Sequence, residues 1–324
     1  MRDVAFSCDN DGAKYLCVSV WSLLSHYRGD QPIRVNVLEG FGGHSAENKR
    51  RLAEIVGRFP NASVRYVNVE PAVGPYAELI MHRKDSRWNV FSWTSVFTPQ
   101  LLPDVVGNVA HFDIDMLFND DVSKILDVDL GDNLLAAVYE EHRHGDARDH
   151  EIWKDGILPP EAERSFNAGL LVFNAAKCRE ERSWERLVDW YRANYDIAER
   201  IEQDALNALY WKRVRPLPVR WNFYDRVIPD YARMPLRERY WFGNPPKDCL
   251  EAAIKPAILH FWGSRKPWKP GYRPCRKLYH AAMRAVGLVP PKDPVSAPYH
   301  DLISAFYFGK IRWRYRAICK AHGS

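Results

Sequence analysis

The sequence has no apolar run of about 18 residues, the length at which a helix begins to span a bilayer, so no transmembrane helix is expected. It has no C-x-x-C pair. Its six cysteines, Cys8, Cys17, Cys178, Cys249, Cys275 and Cys319, are scattered, which fits thiols acting as small hydrophobes in a reducing cytoplasm. No export signal is expected either, because the opening "MRDVAFSCDND" meets acids before any apolar core reaches signal length. No internal repeat or low-complexity tract interrupts the chain. Neither sign of charge dominates: 46 Lys and Arg against 41 Asp and Glu leave +5, a surplus that suits an anionic partner but equally serves solubility.

What is present is an ordinary globular composition, 46% hydrophobic over 324 residues, enough for one large α/β domain with an appendage or for two modest domains. Short β-branched runs, "VAFSC", "IRVNVLE" and "SVRYVNV", alternate with helical segments, "AKYLCVSVWSLLSHYR" and "SAENKRRLAEIVGRF", the second opened by Ser45. Further strands read at "VAHFDIDM", "LLAAVYE" and "LLVFN". The alternation predicts an α/β fold with a mixed, mostly parallel sheet flanked by helices. Ligands of such sheets gather at the carboxyl ends of strands, where Asp9, Asp11, Asp113 and Asp115 fall.

Past residue 265 the texture changes. "SRKPWKPGYRP" is rich in Pro and cations, a short helix follows, and "VPPKDPVSAP" reads as a linker. The last segment, "DLISAFYFGKIRWRYRAICKAHGS", forms a basic helical tail whose Gly309 weakens the helix. On a wheel Tyr307, Phe308, Ile311, Tyr315 and Ile318 gather on one side, with Lys310, Arg312, Arg314, Arg316 and Lys320 around the rest. An apolar aromatic face opposite a basic one suits an anionic membrane surface, and a helix docked on its own domain would show the same pattern. The chain thus divides into 1–265 as the main domain and 266–324 as a basic, membrane-associating segment.

Four stretches carry the chemistry. Of the three D-x-D pairs, Asp127 and Asp129 follow a short helix and read as a solvated turn. Asp113 and Asp115 end the strand "VAHF", where residues two apart face one side and can share an ion. Two buried carboxylates repel each other, so the pair makes sense around a hard cation that also binds diphosphate oxygens, with capping or surface acids as the plainer alternative. In "SFNAGLLVFN", Ala168 and Gly169 permit close approach to the backbone and Asn167 offers a donor and an acceptor to sugar hydroxyls; an Asx turn entering a strand explains the same letters. In "IEQDALNALYW", Asp204 caps a helix and Glu202 and Gln203 are left to point outward. In "ILHFWGSRKPW" an apolar strand delivers His260, then Gly263 and Lys266; the imidazole can complete a manganese shell, or be a structural histidine, and the lysine can neutralise a phosphate.

Taken in order, "DNDGAKYLCVSV", "FDIDMLFND", "VDLGDN", "FNAGLLVFN", "QDALN", "RWNF" and "LHFWGSRKPW" resemble the family 8 glycosyltransferases, retaining enzymes of GT-A fold, in particular the bacterial lipopolysaccharide α-1,4-galactosyltransferase type. The resemblance implies a GT-A domain in which Asp113, Asp115 and His260 hold Mn²⁺ or Mg²⁺ and a UDP-sugar is the donor. It implies that Asp9 and Asp11 contact the nucleoside and that Gly263 and Lys266 contact the phosphates. Asn167, Ala168, Glu202 and Gln203 would line the donor sugar, with Gln203 on the anomeric face opposite the leaving group. The pattern departs from the family at Val96, where a gap-free count puts its sugar-contacting arginine, for which Arg83 or Arg87 are the substitutes in reach of that stretch. Gly12 replaces an aromatic residue, and Asp11 and Glu202 replace Asn and Asp.

The implied activity is transfer of a hexose from a UDP-sugar to a glycolipid or lipopolysaccharide acceptor at the inner face of the plasma membrane. Two other readings fit fewer features: a self-glucosylating, glycogenin-like transferase, for which no single tyrosine stands out, and a nucleotide-sugar binding protein without turnover, for which Val96 argues. Nucleic acid is not an expected partner, since the basic charge sits in the tail and no RNA-binding module is present.

Overall fold

The computed structural model describes residues 1–81, 90–140, 156–159, 161–162, 164–235, 244–292 and 297–321. Ten strands are found among them: β1 (Arg2–Ser7), β2 (Ile33–Glu39), β3 (Ala62–Asn68), β4 (Asn108–Phe112), β5 (Met116–Phe118), β6 (Leu135–Tyr139), β7 (Phe166–Asn174), β8 (Val214–Pro216), β9 (Phe223–Tyr224) and β10 (Ile258–His260). Seven form one sheet in the order β3-β2-β1-β4-β7-β6-β8, and β5, β10 and β9 form a second. In the large sheet only β7 runs against its neighbours, pairing antiparallel with β4 and β6, while the other pairs are parallel. The mixed, mostly parallel sheet read from the sequence is the one observed.

Alternation along the strands sorts side chains onto two faces. Val4, Phe6, Leu170 and Val172 join one buried cluster, and Ala5, Leu171 and Phe173 join the other, so both faces need a helical cover. The cover comes from α1 (Ala13–His26) and α2 (Ala46–Val56) on the first face, and from α3 (Val90–Leu101), α4 (Ser183–Ala193) and α5 (Ile201–Tyr210) on the second. Ser45 opens α2 as expected, its hydroxyl accepting from the Asn48 N–H at 3.2 Å, and Leu52, Ile55 and Val56 supply the buried face.

The core does not end at residue 265. After α6 (Pro246–Ile254) and α7 (Arg276–Ala285) the chain closes on α8 (Ala297–Ala321), and Tyr279, Met283 and Ile311 belong to the same cluster as Val4. For the apolar face of the tail, the docked helix named above as the other explanation is the arrangement observed. The apolar side of α8 is turned inward: Ile311 is fully buried, and Tyr307, Phe308, Tyr315 and Ile318 pack on the core. Arg314, placed on the basic side by the wheel, is buried and donates to the Met234 carbonyl. A different stripe faces solvent, with Leu302, Phe306 and Trp313 each more than 60% exposed. Gly309 lies within the helix with open space around it. No described helix is long and apolar enough to cross a membrane, and all six cysteines are free.

Candidate active site

The first acids of interest lie beyond a strand rather than in one. β4 stops at Phe112, and Asp113 to Asp115 form the turn into β5, so strand alternation is not what brings the two carboxylates together. The turn is fixed by its backbone. The Asp113 N–H donates to the Gly169 carbonyl at 2.9 Å, the Phe261 N–H donates to the Asp115 carbonyl at 2.9 Å, and the Ser19 hydroxyl lies 2.5 and 2.8 Å from the carbonyls of Ile114 and Met116.

β10 brings His260 to the same place by pairing antiparallel with β5, His260 opposite Met116. Its Nε2 stands 3.2 Å from Asp115 Oδ1 and 3.6 Å from Asp113 Oδ2, and one donor atom from each of the three side chains lies within 4.8 Å of the others. The imidazole Nε2 is buried and makes no hydrogen bond among the described residues. Two carboxylate oxygens and an imidazole nitrogen are donors that Mn²⁺ accepts readily and Mg²⁺ accepts in part, so the residues fit such a cation. Lys266 pairs with the other oxygen of Asp115. Burial would raise the Asp115 carboxyl, but the charge of Lys266 beside it overcomes this and holds the group well below the usual range. Asp113 is raised, by burial first and by its neighbour Asp115 second.

A chain of amides runs from His260 into the sheet. His260 Nδ1 lies 2.8 Å from Asn222 Oδ1, Asn222 Nδ2 donates to Asn167 Oδ1 at 2.9 Å, and Asn167 Nδ2 donates to Gln203 Oε1 at 3.0 Å. The Ala168 N–H also donates to Gln203 Oε1, at 3.1 Å. Because the Asn222 amide nitrogen is spent on Asn167, its oxygen must accept from the ring. That puts the imidazole proton on Nδ1 and the lone pair on Nε2, facing the aspartates. Asn222 was not singled out from the sequence, where "RWNF" offers only a polar residue flanked by aromatics.

Gly169 allows His260 and Asp113 to approach the backbone closely. A Cβ there would stand 2.5 Å from His260 Cε1 and 2.9 Å from Asp113 Oδ2. Asp204 caps as expected, its carboxylate accepting from the Arg200 N–H at 2.8 Å. Glu202 and Gln203 do not point outward: they are buried at 7% and 6% exposure, Gln203 bonded to β7. Ile201, just before them, has φ +39°, a region that β-branched residues avoid. Burial pushes the Glu202 carboxyl well above its ordinary value, and the charge of Asp113 adds to this.

Asp9 and Asp11 are exposed beyond β1, Asp9 accepting from the Gly12 N–H at 2.8 Å. Gly12 leaves no space for the family's aromatic, since a Cβ would meet Ile114 Cδ1 at 2.8 Å and Cys8 Cβ at 2.9 Å. Gly263 has φ +92°, as glycine allows. Asp127 pairs with Arg2 at 2.5 Å and Asp129 accepts from the Gly131 N–H, a surface turn as read. Val96 is buried in the core. Arg83 and Arg87 lie outside the described residues.

Fold and cluster together define the GT-A class of glycosyltransferase: a mostly parallel sheet flanked by helices, with a D-x-D turn beyond a central strand. More particularly, residues 3–270 match the model of glycosyl transferase family 8, and the chain belongs to that family. Among its relatives, general stress protein A of Bacillus subtilis is 24% identical over 266 residues, 81% of this chain and 86% of that one. A putative glycosyltransferase of Haemophilus influenzae is 23% identical over 275 residues, 82% of this chain and 72% of that one. The crystal structure of the galactosyltransferase LgtC with donor and acceptor sugar analogs superposes with a TM-score of 0.70 at 25% identity, covering 89% of this chain and 97% of LgtC. The bifunctional glycosyltransferase WbbM shares the fold, with a TM-score of 0.68 at 24% identity over 87% of this chain; the chain spans about half of it, 49%.

Proposed function

We propose that the protein is a retaining hexosyltransferase that moves a sugar from UDP to a glycolipid or lipopolysaccharide-type acceptor with the help of Mn²⁺ or Mg²⁺. The observation that carries this reading is the meeting of Asp113, Asp115 and His260, which are up to 147 positions apart in the chain, within 4.8 Å. A divalent cation held by these three would act as a Lewis acid on the diphosphate as the bond to the sugar breaks.

The chain's own groups complete the site. Lys266, already beside Asp115, is placed to offset charge growing on the leaving phosphates, with Gly263 giving backbone access. Asp9 and Asp11, on the loop after β1, are assigned to the nucleoside, and Asn167, Ala168, Glu202 and Gln203 to the donor sugar. Both hydrogen bonds received by Gln203 Oε1 draw electron density away from it, so this amide oxygen is a poor nucleophile. Burial pushes the Glu202 carboxyl well above its ordinary value and so disfavours its charged, nucleophilic form. Neither suits a covalent glycosyl intermediate, which supports attack from the leaving-group face, the acceptor hydroxyl passing its proton to the departing phosphate oxygen.

The exposed stripe of α8 supports a peripheral place on the inner face of the plasma membrane. Leu302, Phe306 and Trp313 lie among exposed Lys310, Arg312, Arg316 and Lys320, an arrangement that inserts apolar groups between anionic headgroups.

A screen of UDP-sugars tests the central reading. Slow Mn²⁺-dependent hydrolysis of one donor, abolished by chelator and by Asp115→Ala, is the expected result. Metal binding without hydrolysis or transfer from any UDP-sugar would overturn it, and a ladder of hexose masses on the protein itself would redirect it to self-glucosylation.

A further inference from the structure

Phe41 stands two residues beyond β2, at the carboxyl edge of the large sheet, and is 43% exposed. Its φ is +52°, a region that bulky side chains avoid. Gly42 and Gly43 continue the same turn at φ +101° and +63°. A third glycine would make that turn without strain, so the backbone alone does not call for a phenylalanine there.

The turn is built onto the loop that carries Asp9. β1 and β2 are parallel, with Ser7 opposite Leu38, so the chain leaves both strands side by side. His44 Nε2 lies 3.0 Å from the Cys8 carbonyl, the Ser45 N–H donates to Asn10 Oδ1 at 2.8 Å, and Asn48 Nδ2 donates to the same oxygen at 2.8 Å. These contacts grip the residues on either side of Asp9. Within the turn, the Phe41 N–H donates to the Glu70 carboxylate and the Gly43 N–H donates to the Gly40 carbonyl at 3.1 Å. The ring meets Phe91 in a T-shaped contact, with centroids 6.4 Å apart, and the Phe91 carbonyl accepts from the Ser7 hydroxyl at 3.0 Å. An exposed aromatic ring is thus carried on a fixed backbone beside the end of β1.

We propose that Phe41 is the stacking face for the base of the donor nucleotide, an inference that rests on the UDP-sugar reading. Asp9 and Asp11 offer oxygen acceptors to a nucleoside, but a base also presents a flat π face that aromatic side chains cover well. The loop after β1 cannot supply that cover at Gly12, where even a Cβ would meet Ile114 and Cys8. Among the described residues the other strongly exposed aromatics stand elsewhere: Trp262 follows β10, and Phe306 and Trp313 lie on α8. Stacking accounts for both peculiarities of Phe41, its exposure and its strained backbone, since a ring kept for a ligand stays open to solvent until the ligand covers it.

The test titrates the full chain with UDP in the presence of Mn²⁺, by calorimetry. Phe41→Gly is expected to weaken UDP binding about tenfold or more, as loss of one base–aromatic stack does, while Phe41→Tyr keeps it within about threefold. The melting temperature of Phe41→Gly should be unchanged or raised, because glycine accepts the positive φ. In Phe41→Trp, UDP should quench the fluorescence of the added indole in a saturable way, beyond any change in the wild type. UDP affinity indifferent to Phe41→Gly, or an indole that UDP does not quench, overturns the proposal and leaves the transferase reading intact. If the wild-type chain binds no UDP, both fall.

Discussion

Asn222 and His260 are joined by a 2.8 Å hydrogen bond that decides which imidazole nitrogen faces Asp113 and Asp115. An asparagine that bonds a metal-binding histidine in this way fixes both tautomer and ring angle. Replacing Asn222 by Ala frees the ring to turn and to take the other tautomer. Mn²⁺ affinity, measured by electron paramagnetic resonance, is expected to fall by about 10- to 100-fold with little change in the fold. Unaltered affinity would show that the amide chain leaves the ring unconstrained.

Gly169→Ala places a methyl group against His260 Cε1 and Asp113 Oδ2. The backbone at both ends is tied into the sheet, so relief must come from the ring. Loss of metal binding is expected, with about 1–3 kcal/mol of destabilisation from overpacking in a denaturant titration.

Glu202→Gln exchanges a buried carboxyl for an amide of the same shape. Turnover is expected to stay within about tenfold of wild type, the span of one neutral hydrogen bond worth about 1 kcal/mol. A loss of several orders of magnitude, or a sugar trapped on Glu202 or Asp204, would restore a covalent mechanism.

Burial pushes the Asp204 carboxyl from 3.8 up to about 6, against the Arg200 amide and charge. A raised acid favours the fold while protonated, so its contribution is fully present below pH 3.8 and is lost as pH rises through about 6. Asp204→Asn keeps the cap acceptor without the charge. Its stability advantage over wild type should therefore grow between pH 4 and pH 7, reaching the order of 2 kcal/mol in urea titrations.

The two sides of α8 are expected to fail differently. Ile311→Ala opens the core and should cost about 2–5 kcal/mol. Changing Leu302, Phe306 and Trp313 together to Ser should leave the melting temperature nearly unchanged and abolish sedimentation with vesicles containing phosphatidylglycerol. Removal of residues 301–324 is expected to unfold the domain rather than to release a soluble enzyme, because Tyr307, Phe308, Ile311 and Tyr315 pack on its core.

Much of the fold was legible because strand and helix periods are local. Residues such as Val4 and Phe6 announce a buried strand, and Ser45 announces a helix start, without knowledge of anything distant. The three metal-binding candidates were legible by chemical type, but the reason first given for the aspartates was not the operative one: Ser19, Gly169 and Phe261 shape their turn, and all three are remote in sequence. Asn222 left no trace because a bridging amide is defined by its two partners and not by its neighbours. For Glu202 and Gln203 the helical period identified the cap at Asp204, whereas the inward aim of the other two depends on contact with β7. The wheel of α8 grouped the right residues and left two surfaces open to them, since amphipathicity states that a face must be covered and not by what.

The placement of β10 between β5 and β9 bears on synthesis at the ribosome. A nascent chain that has reached residue 250 already carries Asp113 and Asp115 but not His260, and its core still lacks Tyr279 and Ile311. The proposed cation site is thus assembled only once β10 has been made, shortly before the segment that seals the core. A truncated product would hold neither ion nor fold, and half-made chains are barred from consuming donor.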